Sequence, residues 1–489
     1  MENTTVLIVG AGPTGLTLAC ELARRHVAVR IIERLIEPAC GSRAKGVQPR
    51  SLEILNDLGI TETLIPKGYT DLPYRKYNEN QLQGDVPRKI FDRKDTRYPG
   101  ILLLPQYEVE AALRNKLAEF GIKVEWATEL ADFTQLDKEI ICRLEKPGKT
   151  LPLSCQYIVG CDGGKSTVRK ELKINFIGET YQTEQFWVGD VELTGLTPDA
   201  WYNWFKPGEG LAFALFPFKN SKSWQLQAPM KLDVDGNIAP PTLEDFNELF
   251  KERTQMQNVI LTKSTWQSVY RINVRRAERF RERNVFLAGD ACHVHSAAGG
   301  MGMNTGIQDA YNLGWKLASV INGEAKDHLL DTYEEERIPV ADWLLKTTSS
   351  LHQNLKDVAK TGKGGVETMA SADNTQLNIN YRNSSLTVKS NDNSNTLKNG
   401  DRAPDVQLAD GNWLSDQWKG IKWSVLVLGN VSIEHGDIFK TVRTCDQAVT
   451  DVYGILNGLV LIRPDGYIAL MTADVNDIEH FFGQTNPNL

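Results

Sequence analysis

The sequence predicts an α/β protein: a Rossmann-like nucleotide-binding domain, interrupted by an inserted antiparallel β-sheet domain and followed by a smaller C-terminal α/β domain. Three observations carry this. The chain opens on a strand, a glycine turn, an amphipathic helix and a second strand; its texture turns aromatic and short-period after about residue 176; and a buried-strand run, "RNVFLAGD", returns after the aromatic stretch. A chain of 489 residues is too long for one ordinary core, which agrees with two or three domains.

Val6 to Val9 form an apolar strand, a helix runs from about Thr14 to Arg25, and Val27 to Ile32 form the next strand, a βαβ unit with parallel pairing. The turn between them is Gly10-Ala11-Gly12-Pro13-Thr14-Gly15. Gly10 permits the tight turn, Gly12 lets a pyrophosphate approach the backbone, and Gly15 lets helix and strand pack closely. The helix N-terminus adds N–H donors and the positive end of its dipole. Glu33 ends the second strand 18 residues after Gly15, where a carboxylate accepts hydrogen bonds from an adenosine ribose, and Arg34 follows it.

Two more loops follow strands. Cys161-Asp162-Gly163-Gly164 follows the apolar "YIVG", a pattern that by itself is an ordinary turn. Asp290 ends the strand "VFLAG"; Gly299, Gly300 and Gly302 come next, and Ile307, Ala310, Tyr311, Gly314, Leu317 and Ala318 then recur at helical spacing. Asp290, Cys292, His293 and His295 fall within six positions, yet no partner cluster elsewhere completes a zinc set, so packing is favoured and no metal is expected.

Between the loops, "FWVGDVEL", "GLAFALFPF" and "SWQLQAP" read as antiparallel strands. Residues 353–400, with "KTGKGG" and "KSNDNSN", read as a polar linker. In the tail, "WSVLVLGN" and "GLVLIRPDGYIAL" are strands, with a turn at Pro464, Asp465 and Gly466. The expected divisions are 1–175 and 269–352 for the nucleotide-binding domain, 176–268 for the inserted sheet, 353–400 for the linker and 401–489 for the last domain.

The bulk numbers exclude some classes. With 41% apolar and 24% charged residues the composition is that of a globular protein, and a net charge of −7 gives no basic footprint for nucleic acid or anionic membrane. No apolar run is long enough to span a bilayer. Seven scattered cysteines without a C-x-x-C pair fit a reducing compartment, and the protein is expected in the cytoplasm.

Taken together, "GAGPTG", Glu33, "SRAKGVQPRSLEIL", Gln106, "CDGGKSTVR" and "GDACHVHSAAGGMGMNTGIQDAYNLGWKL" resemble the single-component FAD-dependent aromatic hydroxylases, the para-hydroxybenzoate and phenol hydroxylase family. The tail resembles the thioredoxin-like appendage of some members. The resemblance implies FAD as cofactor, NADPH or NADH as donor, and O2 and a small aromatic molecule as substrates. The cofactor chemistry would be ring hydroxylation through a flavin C4a-hydroperoxide. It places Asp290 at the ribityl and pyrophosphate region, Gly302, Met303 and Asn304 along the isoalloxazine, Arg43, Gly46, Val47 and Gln48 against the flavin, and Gln106 on the ribityl chain. Asp162 belongs to a motif assigned to both FAD and the nicotinamide donor. The chain departs from the family at Ser296-Ala297-Ala298, where prolines are common, and at Met301.

Aligning the inserted strands with those of the family puts Leu215, Pro217, Gln225 and Gln227 on the substrate side, and Ala297 is counted with the same pocket. A one-residue slip would reverse these assignments. Trp201, Trp204, Phe213, Phe216 and Trp224 are read chiefly as core. With no charged anchor apparent among these residues, a bulky, largely apolar phenol or polycyclic aromatic is expected. Baeyer–Villiger oxidation, epoxidation or drug inactivation would use the same loops, and a flavin-binding interaction module is the non-enzymatic alternative. A thiol-exchange role for the tail needs a second cysteine beside Cys445. A homodimer stays open.

Overall fold

The computed structural model describes residues 2–88, 90–206, 210–230, 241–296, 299–361, 372–389, 397–433 and 439–485. Three sheets organise them. The first has seven strands, and its central path runs Arg281–Glu282, Val285–Leu287, Lys149–Gly160, Glu2–Val9 and Val29–Ile32. The last four are parallel neighbours, with Ile8 beside both Ile31 and Val159, and Phe286 beside Val159. A hairpin of Glu129–Gln135 and Ile140–Lys146 extends the N-terminal half of Lys149–Gly160. The strands are apolar on both faces because helices cover both, as buried parallel strands require. Helices Pro13–Ala23 and Gly302–Ile321 pack on each other closely enough that a Cβ on Gly314 would lie 2.5 Å from Glu21 Cγ.

The second sheet has eight strands in the order His293–Val294, Ile260–Ala277, Phe176–Thr194, Ser223–Pro229, Gly210–Pro217, Trp201–Lys206, Tyr74–Asn78 and Gln81–Val86. The aromatic stretch supplies most of it, but the hairpin at 74–86 joins it from the sequence before residue 176. Helix Leu243–Thr254, opened by a capping box between Thr242 and Asp245, lays Phe246, Leu249 and Phe250 on one face. Trp204, Phe213, Leu215, Trp224 and Leu226 fill the core beneath that helix. The opposite face turns toward the first domain.

The third sheet orders Phe439–Thr444, Trp423–Leu428, Gly458–Ile462 and Ile468–Thr472, one parallel pair followed by two antiparallel ones. Helices Gln447–Tyr453 and Val475–Thr485 accompany it. Gly466, at a φ of +77°, makes the expected turn.

The linker expectation over 353–400 needs correction. Helix Thr332–Thr361 runs past its start, and residues 372–388 are packed against the first domain. Gln376 bonds both Gln308 and Thr305, Tyr381 accepts from Arg337, and Ser384 donates to Glu336. Polar composition was misread as solvation, whereas these polar groups satisfy a buried charged network. Residues 362–371 and 390–396 lie outside the described residues.

Candidate functional site

Parallel pairing brings the C-terminal ends of four strands to one edge, so Gly10, Glu33, Cys161 and Ala288 to Asp290 gather there. Gly10, at a φ of +105°, has room for no side chain, since a Cβ would meet Cys161 O at 2.4 Å. A Cβ on Gly15 would lie 2.0 Å from Gly10 O, and Cβ atoms on Gly289 and Gly306 would strike Thr14 Oγ1. These glycines lock the three loops together. Gly12 differs: nothing lies within 4 Å of where its Cβ would stand, and no side chain caps the helix that begins at Pro13. An open patch of backbone at a free helix N-terminus is what a pyrophosphate needs.

The carboxylates divide by role. Glu33 accepts from Ala11 N at 2.9 Å and Leu35 N at 3.1 Å, which fixes it at the strand end, with Arg34 exposed beside it. Asp162 Oδ2 accepts from Thr167 N and Val168 N, while Oδ1 is buried without a partner; burial raises its carboxyl above the ordinary range. Asp290 is open to solvent yet deep among protein atoms, so its carboxyl is also raised.

Asn304, fully buried at the start of its helix, ties two loops. It accepts from Gln48 N at 2.8 Å and donates to Gly46 O at 3.0 Å and Gly300 O at 2.9 Å. Gln48 Nε2 donates to Gly299 O, and Val47 makes a two-bond bridge with Leu102. A Cβ on Gly46 would meet Ile101 at 2.5 Å and one on Gly302 would meet His295 at 2.7 Å; Met303 packs on the core beside them. Gln106 begins its helix by donating to Glu110 Oε1 and taking a long bond from Ala44 N, so it adjoins the 42–48 loop. Arg43 is exposed at a φ of +42°. Gln106, the 42–48 loop and residues 299–304 are thus tied to one another, while Thr14 against Gly289 and Gly306 joins them to the strand-end loops.

The Cys-His-Asp cluster is a strut. Cys292, His293 and Asp309 lie together and buried, but Asp309 already accepts from Arg337 Nε at 2.6 Å, Gly289 N at 3.0 Å and pairs with His293 Nε2 at 2.7 Å. Burial pushes the Asp309 carboxyl up, yet the charges and hydrogen bonds of Arg337 and His293 outweigh it and hold it at about 2. Asp309 therefore steadies the loop that presents Asp290. Sequence reading missed it because its partners lie 16 to 28 residues away on other elements. His295 is pushed down to about 4 by burial and by His293, so it is uncharged near neutrality.

On the sheet side one expectation fails. Leu215 pairs with Leu226 and Pro217 with Trp224, whereas Gln225 pairs with Phe216 and Gln227 with Ala214. Cross-strand partners share a face, so Leu215 belongs to the core under helix Leu243–Thr254 and Pro217 shares its side, while Gln225 and Gln227 look toward the 42–45 loop. The slip arises because alternation fixes a pattern but not its phase. Trp204, Phe213 and Trp224 are core, and Trp201 and Phe216 stand on the face opposite them. Ala297 lies outside the described residues.

A family model described as an FAD binding domain matches residues 3–348. A flavin-dependent monooxygenase of Mycobacteroides abscessus is 38% identical over 480 residues, covering 96% of this chain and 97% of that protein. The chain belongs to this FAD-binding flavin monooxygenase family. Pentachlorophenol 4-monooxygenase of Sphingobium chlorophenolicum is 32% identical over 97% of this chain and 88% of its own length. Among solved structures, a ternary complex of aklavinone-11 hydroxylase with FAD and aklavinone superposes with a TM-score of 0.83 at 25% identity, covering 99% and 98% of the two chains. The flavin monooxygenase has no helix, among the described residues, long and apolar enough to cross a membrane.

Proposed function

We propose that this flavin monooxygenase uses NADPH or NADH and O2 to hydroxylate a phenolic or polycyclic aromatic substrate held between the 42–48 loop and the inserted sheet. The observation that supports it is the gathering of the strand-end loops: Gly12 has open space, Asp162 Oδ1 is buried without a partner, and Asp290 is exposed at the end of its strand on the same edge. FAD fits these residues. Bound there, it supplies the reductive activation of O2 that no amino-acid side chain provides. Gly10, Gly12, Pro13, Thr14 and Gly15 would hold the pyrophosphate, Glu33 and Arg34 the adenosine ribose, and Gln106 and Asp290 the ribityl chain. Asp162 would line the pyrophosphate approach, and Arg43, Gly46, Val47, Gln48, Gly302, Met303 and Asn304 the ring.

The substrate class is supported by relatives that include a pentachlorophenol 4-monooxygenase and a 6-methylpretetramide 4-monooxygenase. It is supported too by the face carrying Trp201, Phe216, Gln225 and Gln227. The C-terminal unit reads as thioredoxin-like in strand order, with Cys445 its sole cysteine, and so as a packing module rather than a thiol exchanger. No disulfide joins the seven cysteines, which supports a cytoplasmic setting. The test is NADPH and NADH oxidation by FAD-loaded protein across a panel of phenols and polycyclic aromatics. Stimulation accompanied by a hydroxylated product is expected; no stimulation by any aromatic would count against the reading.

A further inference from the structure

Lys45 lies in the middle of the loop that Asn304 clamps at Gly46 and Gln48, and its ammonium crosses to the inserted sheet. There Nζ donates to Gln225 Oε1 at 2.7 Å and sits 4.6 Å from the centre of the Trp201 ring. The Gln225 amide cannot turn over. Its Nε2 donates to Ser42 Oγ at 2.5 Å and Arg43 O at 3.0 Å, while Gln227 Nε2 donates to the same Oε1 at 3.1 Å. The carbonyl is therefore held toward Lys45.

An ammonium has three donors, and Gln225 takes one. Among the described residues no carboxylate lies within ion-pair distance of Lys45. The charge acting on it is that of Asp190, whose oxygens are taken up by Ser42 N at 2.7 Å and Ser42 Oγ at 2.6 Å. Two more polar atoms on this side of the sheet are buried without partners: Trp201 Nε1 and, two residues on and therefore on the same face of the strand, Oδ1 of the fully buried Asn203. This face is supplied with donors and acceptors that the protein leaves unfilled. Such groups are costly in a site of low polarity unless a ligand completes them.

We propose that Lys45 is the anchor for an ionised ring hydroxyl of the aromatic substrate, with Gln225 aiming the amine and the Trp201 ring flanking it; this rests on the flavin monooxygenase reading above. Burial pushes the Lys45 amine down to about 7, with Asp190 pulling the other way, so neutral and charged forms coexist near neutrality. When the amine is neutral, the phenol O–H bond breaks and an N–H bond forms on Nζ, giving a phenolate–ammonium pair with no change in net charge. When it is already an ammonium, the phenol proton leaves to water. Either way the ring gains electron density, which favours oxygen transfer to its carbon. A substrate with an acidic ring hydroxyl is selected over one without.

The test uses FAD-loaded protein and 4-nitrophenol as probe, at a pH one unit below the probe's free pKa, following the visible phenolate band. The band should grow as the parent binds the probe. Lys45→Met should lose the band and bind at least tenfold more weakly while retaining FAD, and Lys45→Arg should keep the band. 4-Nitrobenzoate, already ionised, tests for a general carboxylate site: binding it in a Lys45-dependent way in preference to the phenol would overturn the proposal. So would a band of equal size in Lys45→Met, a probe bound as neutral phenol, or no binding by the parent. Loss of FAD from Lys45→Met would make the lysine structural and would equally overturn it. Should Lys45→Met not fold, the bound probe's pKa in the parent decides: lowered supports the anchor, unchanged removes it. The readout needs no turnover, so failure of the hydroxylation reading would appear separately, as absent NADPH oxidation in protein that still ionises the probe.

Discussion

Gly15→Ala and Gly12→Val should fail in opposite ways. At Gly15 a Cβ would stand 2.0 Å from Gly10 O, and because real contacts of this kind begin near 3.0 Å, helix and turn must part by about 1 Å. The opposing atom is backbone and cannot swing aside, so a destabilisation of about 1–3 kcal/mol, the range for overpacking, is expected. At Gly12 the backbone is ordinary extended, with φ −75° and ψ −177°, and the Cβ position is free for 4 Å. Folding of the apo protein should change by no more than about 0.5 kcal/mol. The new side chain instead fills the space a phosphate needs, and a hydrogen bond to a charged group is worth about 1.5–3 kcal/mol. FAD affinity should therefore fall roughly 10- to 100-fold. Urea unfolding of apo protein and titration of FAD by flavin fluorescence measure the two quantities. Gly12→Val binding FAD as tightly as the parent, or Gly15→Ala unfolding at the parent midpoint, would refute the assignment of these glycines.

Asp309→Asn leaves Arg337 buried without its carboxylate and should destabilise by about 3–5 kcal/mol, with loss of retained FAD; denaturant unfolding and flavin content check both. Asp309 and Glu336 have folded pKa values below the unfolded carboxylate value. For Glu336, burial is opposed and outweighed by Arg463 and Lys316. Their contribution to stability is thus complete above about pH 5 and is lost progressively as pH falls below it, so an acid titration should steepen there and Glu336→Gln should flatten that limb. Cys445→Ser should keep full activity and thermal midpoint, since the thiol is exposed and the other six cysteines all precede residue 293. Loss of turnover in folded Cys445→Ser protein would restore a redox role to the last domain.

The elements legible in the sequence are those whose chemistry is local. A glycine turn between a strand and a helix, an acidic residue at the next strand's end, and Asp290 after "VFLAG" each carry their reason within a few residues, and parallel pairing then gathers them. What stayed hidden depends on phase or distance. Leu215 was assigned to the wrong face because alternation has no absolute origin until pairing with Leu226 sets it. Lys45 stands inside a quoted motif, yet its meaning comes from Gln225, 180 residues later. The stretch 372–388 looked like solvent-facing chain because the charges it satisfies, Arg337 and Glu336, are themselves hidden in the core.

The central claim is that this site inserts an oxygen atom from O2 into an aromatic ring. Turnover of FAD-loaded protein with NADPH, a phenol that stimulates oxidation, and ¹⁸O-labelled O2 in ordinary water tests it most directly. A hydroxylated product carrying one ¹⁸O atom is expected. Unlabelled product, or stimulated NADPH oxidation that yields hydrogen peroxide and unchanged phenol, would contradict it.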